Sequence, residues 1–286
     1  MIDNTLFNPL LKIEYHPEIP RITGFVPNDG ENLFAQLPDF PSVETEYGQF
    51  EFIGGHRLMV APELMPFTYV PEPFLTIEKI DQLRVVLRTE PHPATGISKS
   101  INLSLDPELP KLTLRHTLTN HNSRPIVFAP WTVTQLKPGG IAILPLQPSQ
   151  PNPNQLLPNR QITFWPYTQI HDPGLAITDD FLFYTSSPRC QPLKIGSLCE
   201  SGWMAYLLGK QIFKKSFSFD SSAHYPDLGC NAEIYGCESF VELESLAPLF
   251  TCDPNQTIQH TEVWEMVPNL AALDPNLTLP YSLRDE

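Results

Sequence analysis

The chain has 286 residues, 41% hydrophobic and only 17% charged, with a formal net charge of −14. So acidic a balance excludes a phosphate-backbone partner, because nucleic-acid binding needs clustered Lys and Arg and Lys214-Lys215 is the only basic doublet. No run of 18 apolar residues occurs, so a membrane span is not expected.

The first residues, MIDNTLFNPLLKIEYHPE, hold no basic leader followed by an apolar run, so the expectation is a cytoplasmic protein without a signal peptide. Cys190, Cys199, Cys230, Cys237 and Cys252 are odd in number and read as reduced thiols. The 32 prolines are spread along the chain, which suggests many short strands stopped by turns.

Residues 20–36 read as two strands around the hairpin signal Asn28-Asp29-Gly30. Phe50-Glu51-Phe52 is a short strand running into Gly54-Gly55-His56-Arg57, where the paired glycines imply a sharp turn presenting a polar pair. Residues 75–89 give two strands, and 101–106 and 111–119 alternate well. In the latter, Leu112, Leu114, His116 and Leu118 share one face, which makes His116 a core histidine. Ile126 to Leu136 is extended and carries Trp131, and Ile141 to Leu146 follows the turn Lys137-Pro138-Gly139-Gly140. Residues 147–160 are polar and Pro-rich, an exposed loop. Beyond FWPYT at 164–168, with Trp165 and Tyr167, further strands are expected at 181–185, 192–196, 202–208 and 211–218. Amphipathic helical patterns and fixed-period repeats are missing, so the fold class is all-β, a sandwich or barrel of antiparallel strands.

The last long stretch, 231–266, holds two extended runs with the turn Asp253-Pro254-Asn255 between them. In the first, Glu242 and Glu244 alternate with Val241 and Leu243, so both glutamates share a face roughly 7 Å apart. In the second, His260, Glu262 and Trp264 are in phase. Two acids on one face beside aromatics fit a sugar site in which like-charge repulsion raises one pKa. They fit equally the wet face of a sheet. Arg57 is a fork donor for sugar hydroxyls or the ion-pair partner of Glu63. Zinc, calcium, phosphate-loop and nucleophile-elbow motifs are missing, so neither a metal nor a nucleotide or flavin cofactor is expected.

Four stretches together carry a resemblance: GGHRLMVAPE (54–63), TLTNHNSRPIVFAPWTVTQLKPGG (117–140), TFWPYTQIHDPGLAITDDFLFY (163–184) and YPDLGCNAEIYGCESFVELESLAPLFTCDPNQTIQHTEVW (225–264). They resemble a family with the galactose-mutarotase-like fold, over about residues 20–266 of a single domain spanning 1–286. The resemblance implies an antiparallel β-supersandwich with a small-molecule carbohydrate as ligand. In the aldose 1-epimerases of that superfamily a Leu-Glu pair near the C-terminus supplies the general base. Leu243-Glu244 matches it, and Glu242 stands beside it as the second catalytic candidate. The family's histidine acid follows an Asn-rich hairpin, present here as TNHNSRP, but its position falls on Trp131. That departure leaves two readings: an epimerase whose acid is a histidine outside the standard position, with His171, His224 and His260 as candidates, or a sugar-binding protein that has lost the acid. Arg57 and Asp179 are the nearest equivalents of the family's sugar-contacting residues, and His56, Trp131 and Trp165 complete the expected substrate-binding set.

Overall fold

A computed structural model describes residues 4–65, 68–72, 74–146, 157–186 and 191–280. Two large antiparallel sheets dominate them. In spatial order the first sheet is Thr5–Phe7, Leu11–Tyr15, Ile22–Pro27, Gly55–Ala61, Ile126–Leu136, Val241–Leu246, Ala232–Gly236, Leu193–Ser197 and Ile162–Phe164, with Phe250–Cys252 paired to the start of Ile126–Leu136. The second is Leu175–Ile177, Phe181–Thr185, Ile141–Pro145, Trp203–Leu208, Gln211–Phe217, Thr257–Val267, Lys111–Asn120, Ile97–Leu105, Arg84–Thr89 and Leu75–Lys79.

Strict alternation decides which side chains meet between the sheets. Leu58, Val60, Val241, Leu243 and Ile234 come from the first sheet, and Leu112, Leu114, Phe213 and Trp264 from the second. They merge in one core, where Phe25, Phe34, Phe213 and Trp264 pack edge to face or stacked at 5.1–6.3 Å. Each such buried side chain stabilises the fold by roughly 1.5–3 kcal/mol. His116 shares this interior phase, as its leucine neighbours imply. The outer face of the first sheet carries a separate apolar cluster built from Phe50, Met59, Ala61, Trp131, Val133 and Leu246.

One expectation needs correction. Residues 20–36 form one strand, Ile22–Pro27, and not a hairpin, because after the turn Phe34 and Gln36 make only single bridges, to Leu136 and Gly54. The two extended runs of 231–266 fall in different sheets. Val241–Leu246 is central in the first sheet and Thr257–Val267 central in the second, so their in-phase residues line different surfaces. The intervening Asn255 is left-handed, as its turn requires (φ 63°). The expected loop at 147–160 falls largely outside the described residues, as does Cys190. Cys199, Cys230, Cys237 and Cys252 are buried free thiols.

Gly54 and Gly55 set the phase of the strand that matters most. Both have positive φ (89° and 72°), and a Cβ would lie 2.0 Å from the Ala35 carbonyl oxygen at Gly54 and 2.2 Å from that of Ile22 at Gly55. Only glycine admits this approach. The next two residues therefore part company, His56 pointing into the core and Arg57 onto the outer face.

Candidate functional site

Cross-strand pairing arranges the outer-face residues of the first sheet in rows. One row reads Arg57, Val133, Glu244, Glu233, Gly196; the next reads Gly55, Gln135, Glu242, Tyr235, Lys194. Residues opposite one another on adjacent strands have Cβ atoms roughly 5 Å apart, so side chains along a row interact directly.

Arg57 Nη2 donates to Glu242 Oε1 at 3.0 Å, and its guanidinium lies 5.5 Å from the centre of the Phe52 ring. Trp131 Nε1 donates to Glu244 Oε2 at 2.6 Å, and Lys194 Nζ donates to the same oxygen at 2.9 Å. The ammonium also lies 2.9 Å from Glu233 Oε2, an ion pair without hydrogen-bond alignment, and sits over the rings of Trp131 and Trp165 at 4.7 and 4.9 Å. Tyr167, 48% exposed, stands at the margin of this group. The remaining polar atoms have no partner: Glu244 Oε1, Glu233 Oε1, Arg57 Nε and Nη1, and both side-chain atoms of Gln135. Every one of these residues is buried. Unmade hydrogen bonds in such surroundings cost about 1–3 kcal/mol each, so this face has unmet capacity for water or another polar partner.

The electrostatics are unusual for so small an area. Burial raises the Glu242 carboxyl to about 7 against the pull of Arg57, and Glu244 adds its like charge. Burial also lifts Glu233 well above the ordinary carboxyl range, although Lys194 opposes it. Burial works against the Lys194 ammonium too, but Glu233 and Glu244 outweigh it and hold its proton firmly. One cation between two carboxyls leaves an uncompensated charge unless one acid keeps its proton, and burial favours the proton on Glu233.

Arg57, Glu242, Glu244, Trp131 and Trp165 thus converge as the sequence leads one to expect, and the pair Arg57–Glu242 replaces the Arg57–Glu63 pairing; Glu63 instead accepts from the Tyr69 hydroxyl. Two candidates do not join them. Asp179 lies in the turn before Phe181–Thr185 of the second sheet, with its side chain 85% exposed and 3.9 Å from Arg160. His56 faces the interior. Lys194, Glu233 and Gln135 were not anticipated, since each is a single polar residue in a strand that becomes a neighbour of Glu244 or Glu242 only through sheet order.

On the inner side of the same strands lies a second polar cluster. His56 Nε2 is 2.8 Å from His116 Nε2, and His56 Nδ1 is 2.9 Å from Thr134 Oγ1. Glu262 Oε1 accepts from Ser245 Oγ at 2.6 Å, from Thr132 Oγ1 and from Lys215 Nζ at 2.9 Å, while Oε2 accepts from Trp264 Nε1 at 2.9 Å. Burial depresses His116 to about 4 and His260 to about 3 and drives His56 well down, so all three rings are neutral. Glu262 is held well below the usual range, the opposed charge of Lys215 prevailing over burial. The ligand atoms of His56, His116 and Glu262 lie within 4.8 Å of one another, the one such group among the described residues. The set fits a metal poorly, because the Lys215 ammonium already occupies the carboxylate and the two imidazole nitrogens are at hydrogen-bonding separation. It is a hydrogen-bonded core.

Two twisted antiparallel sheets in this strand order make up a galactose-mutarotase-like β-supersandwich. No protein-family model and no curated protein sequence matches the chain. Solved structures match in fold. A galactose mutarotase-like protein from Lactobacillus casei superposes over 92% of this chain and 99% of its own, at 12% identity and a TM-score of 0.59. A galactose mutarotase related enzyme from Lactobacillus acidophilus covers 93% of this chain and 97% of its own, at 8% identity and a TM-score of 0.51. A TPR-domain containing protein from Parabacteroides distasonis covers 99% of this chain with 49% of its own length, at 14% identity and a TM-score of 0.63. Identities this low establish the fold and leave the chemistry to the residues. No helix among the described residues is long and apolar enough to cross a membrane.

Proposed function

We propose that this protein binds a sugar on the outer face of its first sheet and interconverts its anomers, in the manner of an aldose 1-epimerase. One observation carries the reading: Glu244 Oε1 and Arg57 Nε and Nη1 are buried, unpartnered and two strands apart on the same face. Glu244 takes the proton of the anomeric hydroxyl as the ring opens and returns it to the carbonyl oxygen when the ring closes on the other side. Lys194 and Trp131 hold its second oxygen and so fix which oxygen faces the sugar. Arg57 donates to sugar hydroxyls while Glu242 orients the guanidinium and, with a carboxyl near 7, exchanges protons readily at neutral pH. Trp165 and Tyr167 supply ring faces at the margin for a sugar to pack against.

A second reading is a sugar-binding protein without catalysis. Trp131 favours it, because an indole standing where the superfamily's acid stands donates a hydrogen bond but does not transfer a proton. Polarimetry and NMR exchange of glucose and galactose anomers separate the two. Exchange faster than buffer, abolished in Glu244→Gln, supports the epimerase. Exchange at the buffer rate, with a sugar still raising the melting temperature, leaves only binding. A sugar panel that neither exchanges nor shifts the melting temperature overturns both.

A further inference from the structure

We infer that Glu233 is the proton donor to the ring oxygen, and that Lys194 is the positioning residue that aims Glu233 and Glu244 at one sugar. The inference rests on the reading of Glu244 as base and supplies the acid that Trp131 cannot be. Glu233 lies directly opposite Glu244 in the Ala232–Gly236 and Val241–Leu246 pairing, on the same face. Lys194 Nζ is 2.9 Å from one oxygen of each carboxyl. The other oxygen of each, Glu233 Oε1 and Glu244 Oε1, is buried and touches no polar partner. Two carboxyls on one face thus share one tether and each keeps a second oxygen unpartnered, which suits two oxygens carried by a single anomeric carbon.

Glycine at 196 makes room for this acid. A Cβ there would lie 3.1 Å from Glu233 Cγ and 2.8 Å from Cys230 Sγ, so any larger residue displaces the carboxyl. The groups facing Glu233 are Lys194, Glu244, Cys230 and Asp227 in the turn Pro226–Gly229. Cys230 stays a neutral thiol, its pKa pushed to about 12 by burial. Burial, with the neighbouring Glu244 and Asp227 carboxyls, raises the Glu233 carboxyl against the single opposing cation. Glu242 is the weaker candidate because Arg57 already occupies its Oε1.

The step balances. Glu244 removes the hydrogen of the anomeric hydroxyl, and that O–H pair becomes the second bond of the carbonyl. The ring C–O bond breaks toward oxygen, which takes the Glu233 proton. After rotation about the bond to the next carbon, the ring hydroxyl attacks the other carbonyl face and returns its proton to Glu233. Glu244 then protonates the new anomeric oxygen.

The test is anomer exchange of glucose and galactose in wild type, Glu233→Gln, Glu233→Asp and Glu244→Gln, each checked for folding by its thermal transition, together with infrared difference spectra of wild type against Glu233→Gln. In Glu233→Gln, kcat is expected to fall by about 10²- to 10⁴-fold with KM little changed, the usual contribution of a positioned acid. Its alkaline limb should vanish, Glu233→Asp should recover part of the rate, and the carbonyl stretch of a protonated carboxyl, present in wild type at neutral pH, should be lost. A Glu233→Gln enzyme within about threefold of wild type while Glu244→Gln is dead overturns the assignment and spares Glu244. A spectrum without that protonated carboxyl overturns it whatever the rates. Wild type no faster than buffer overturns it together with the epimerase reading.

Discussion

Two polar clusters sit back to back on the same three strands, and they differ in what their hydrogen bonds are for. The inner one, around Glu262, is nearly closed: four donors converge on one carboxylate, both ring nitrogens of His56 are engaged, and His116 Nδ1 is left unmatched. The outer one, around Glu244, is open, with Arg57, Gln135, Glu233 and Glu244 all keeping buried atoms unmatched. Neighbours in sequence fall on opposite sides of this divide, His56 against Arg57 and Ser245 against Glu244. Satisfied buried networks specify a fold, whereas unsatisfied ones wait for a ligand.

That contrast breaks most severely at Glu244. Glu244→Gln is expected to reduce anomer exchange by about 10²- to 10⁴-fold, read by polarimetry, and to lower the thermal transition as well, because the buried Lys194 ammonium loses a counter-charge. Glu262→Gln should lower stability and leave the sugar response in place. It leaves Lys215 buried without its counter-charge and should cost about 3–5 kcal/mol in urea unfolding, with sugar binding intact in the protein that still folds.

Acidity should separate the clusters by sign. His116 and His260 titrate at about 4 and about 3 in the folded chain against 6.5 unfolded. Below pH 6.5 the unfolded chain takes up protons that the folded chain refuses, so stability falls as pH drops from 6.5 toward 4. Glu242 behaves oppositely. Its folded value of about 7 exceeds the unfolded 4.5, so the folded chain holds the extra proton and stability falls as pH rises from 4.5 to 7. Urea midpoints across this range should pass through a maximum. Glu242→Gln should reduce the upper slope by on the order of 3 kcal/mol, leave the share that belongs to Glu233, and leave the lower slope in place. The smallest effect belongs to Asp179→Asn, far from either cluster: unfolding free energy within about 0.5 kcal/mol of wild type and unchanged sugar response.

Much of the architecture was legible because antiparallel strands write their two faces into alternate residues. Leu112-Leu114-His116-Leu118 announced a histidine in the core; the shared phase of His260, Glu262 and Trp264 was visible too, but the burial of Glu262 was not expected from it. The pairing of Arg57 with Glu242 and the burial of Glu244 were not legible in that way, since they depend on Gly55–Ala61, Ile126–Leu136 and Val241–Leu246 lying side by side. Family resemblance named Arg57 and Glu244 together, and the structure places them on one face; it also named Asp179, with a loose register, and that side chain lies in an exposed turn of the second sheet. Lys194 and Glu233 gave no local sign, because a polar residue in a short strand looks the same whether it faces water or a partner three strands away.

The crossing at Gly54-Gly55 has a consequence for how such a chain tolerates change in length. Loops between the sheets can gain or lose residues and leave both clusters standing. A single residue added between Gly55 and His56 would turn the arginine inward among the imidazoles and the histidine outward beside Glu242, exchanging outer face for core in one step. The double glycine is thus a reading frame for the sheet, and its loss would scramble the molecule's inside and outside before it removed any one contact.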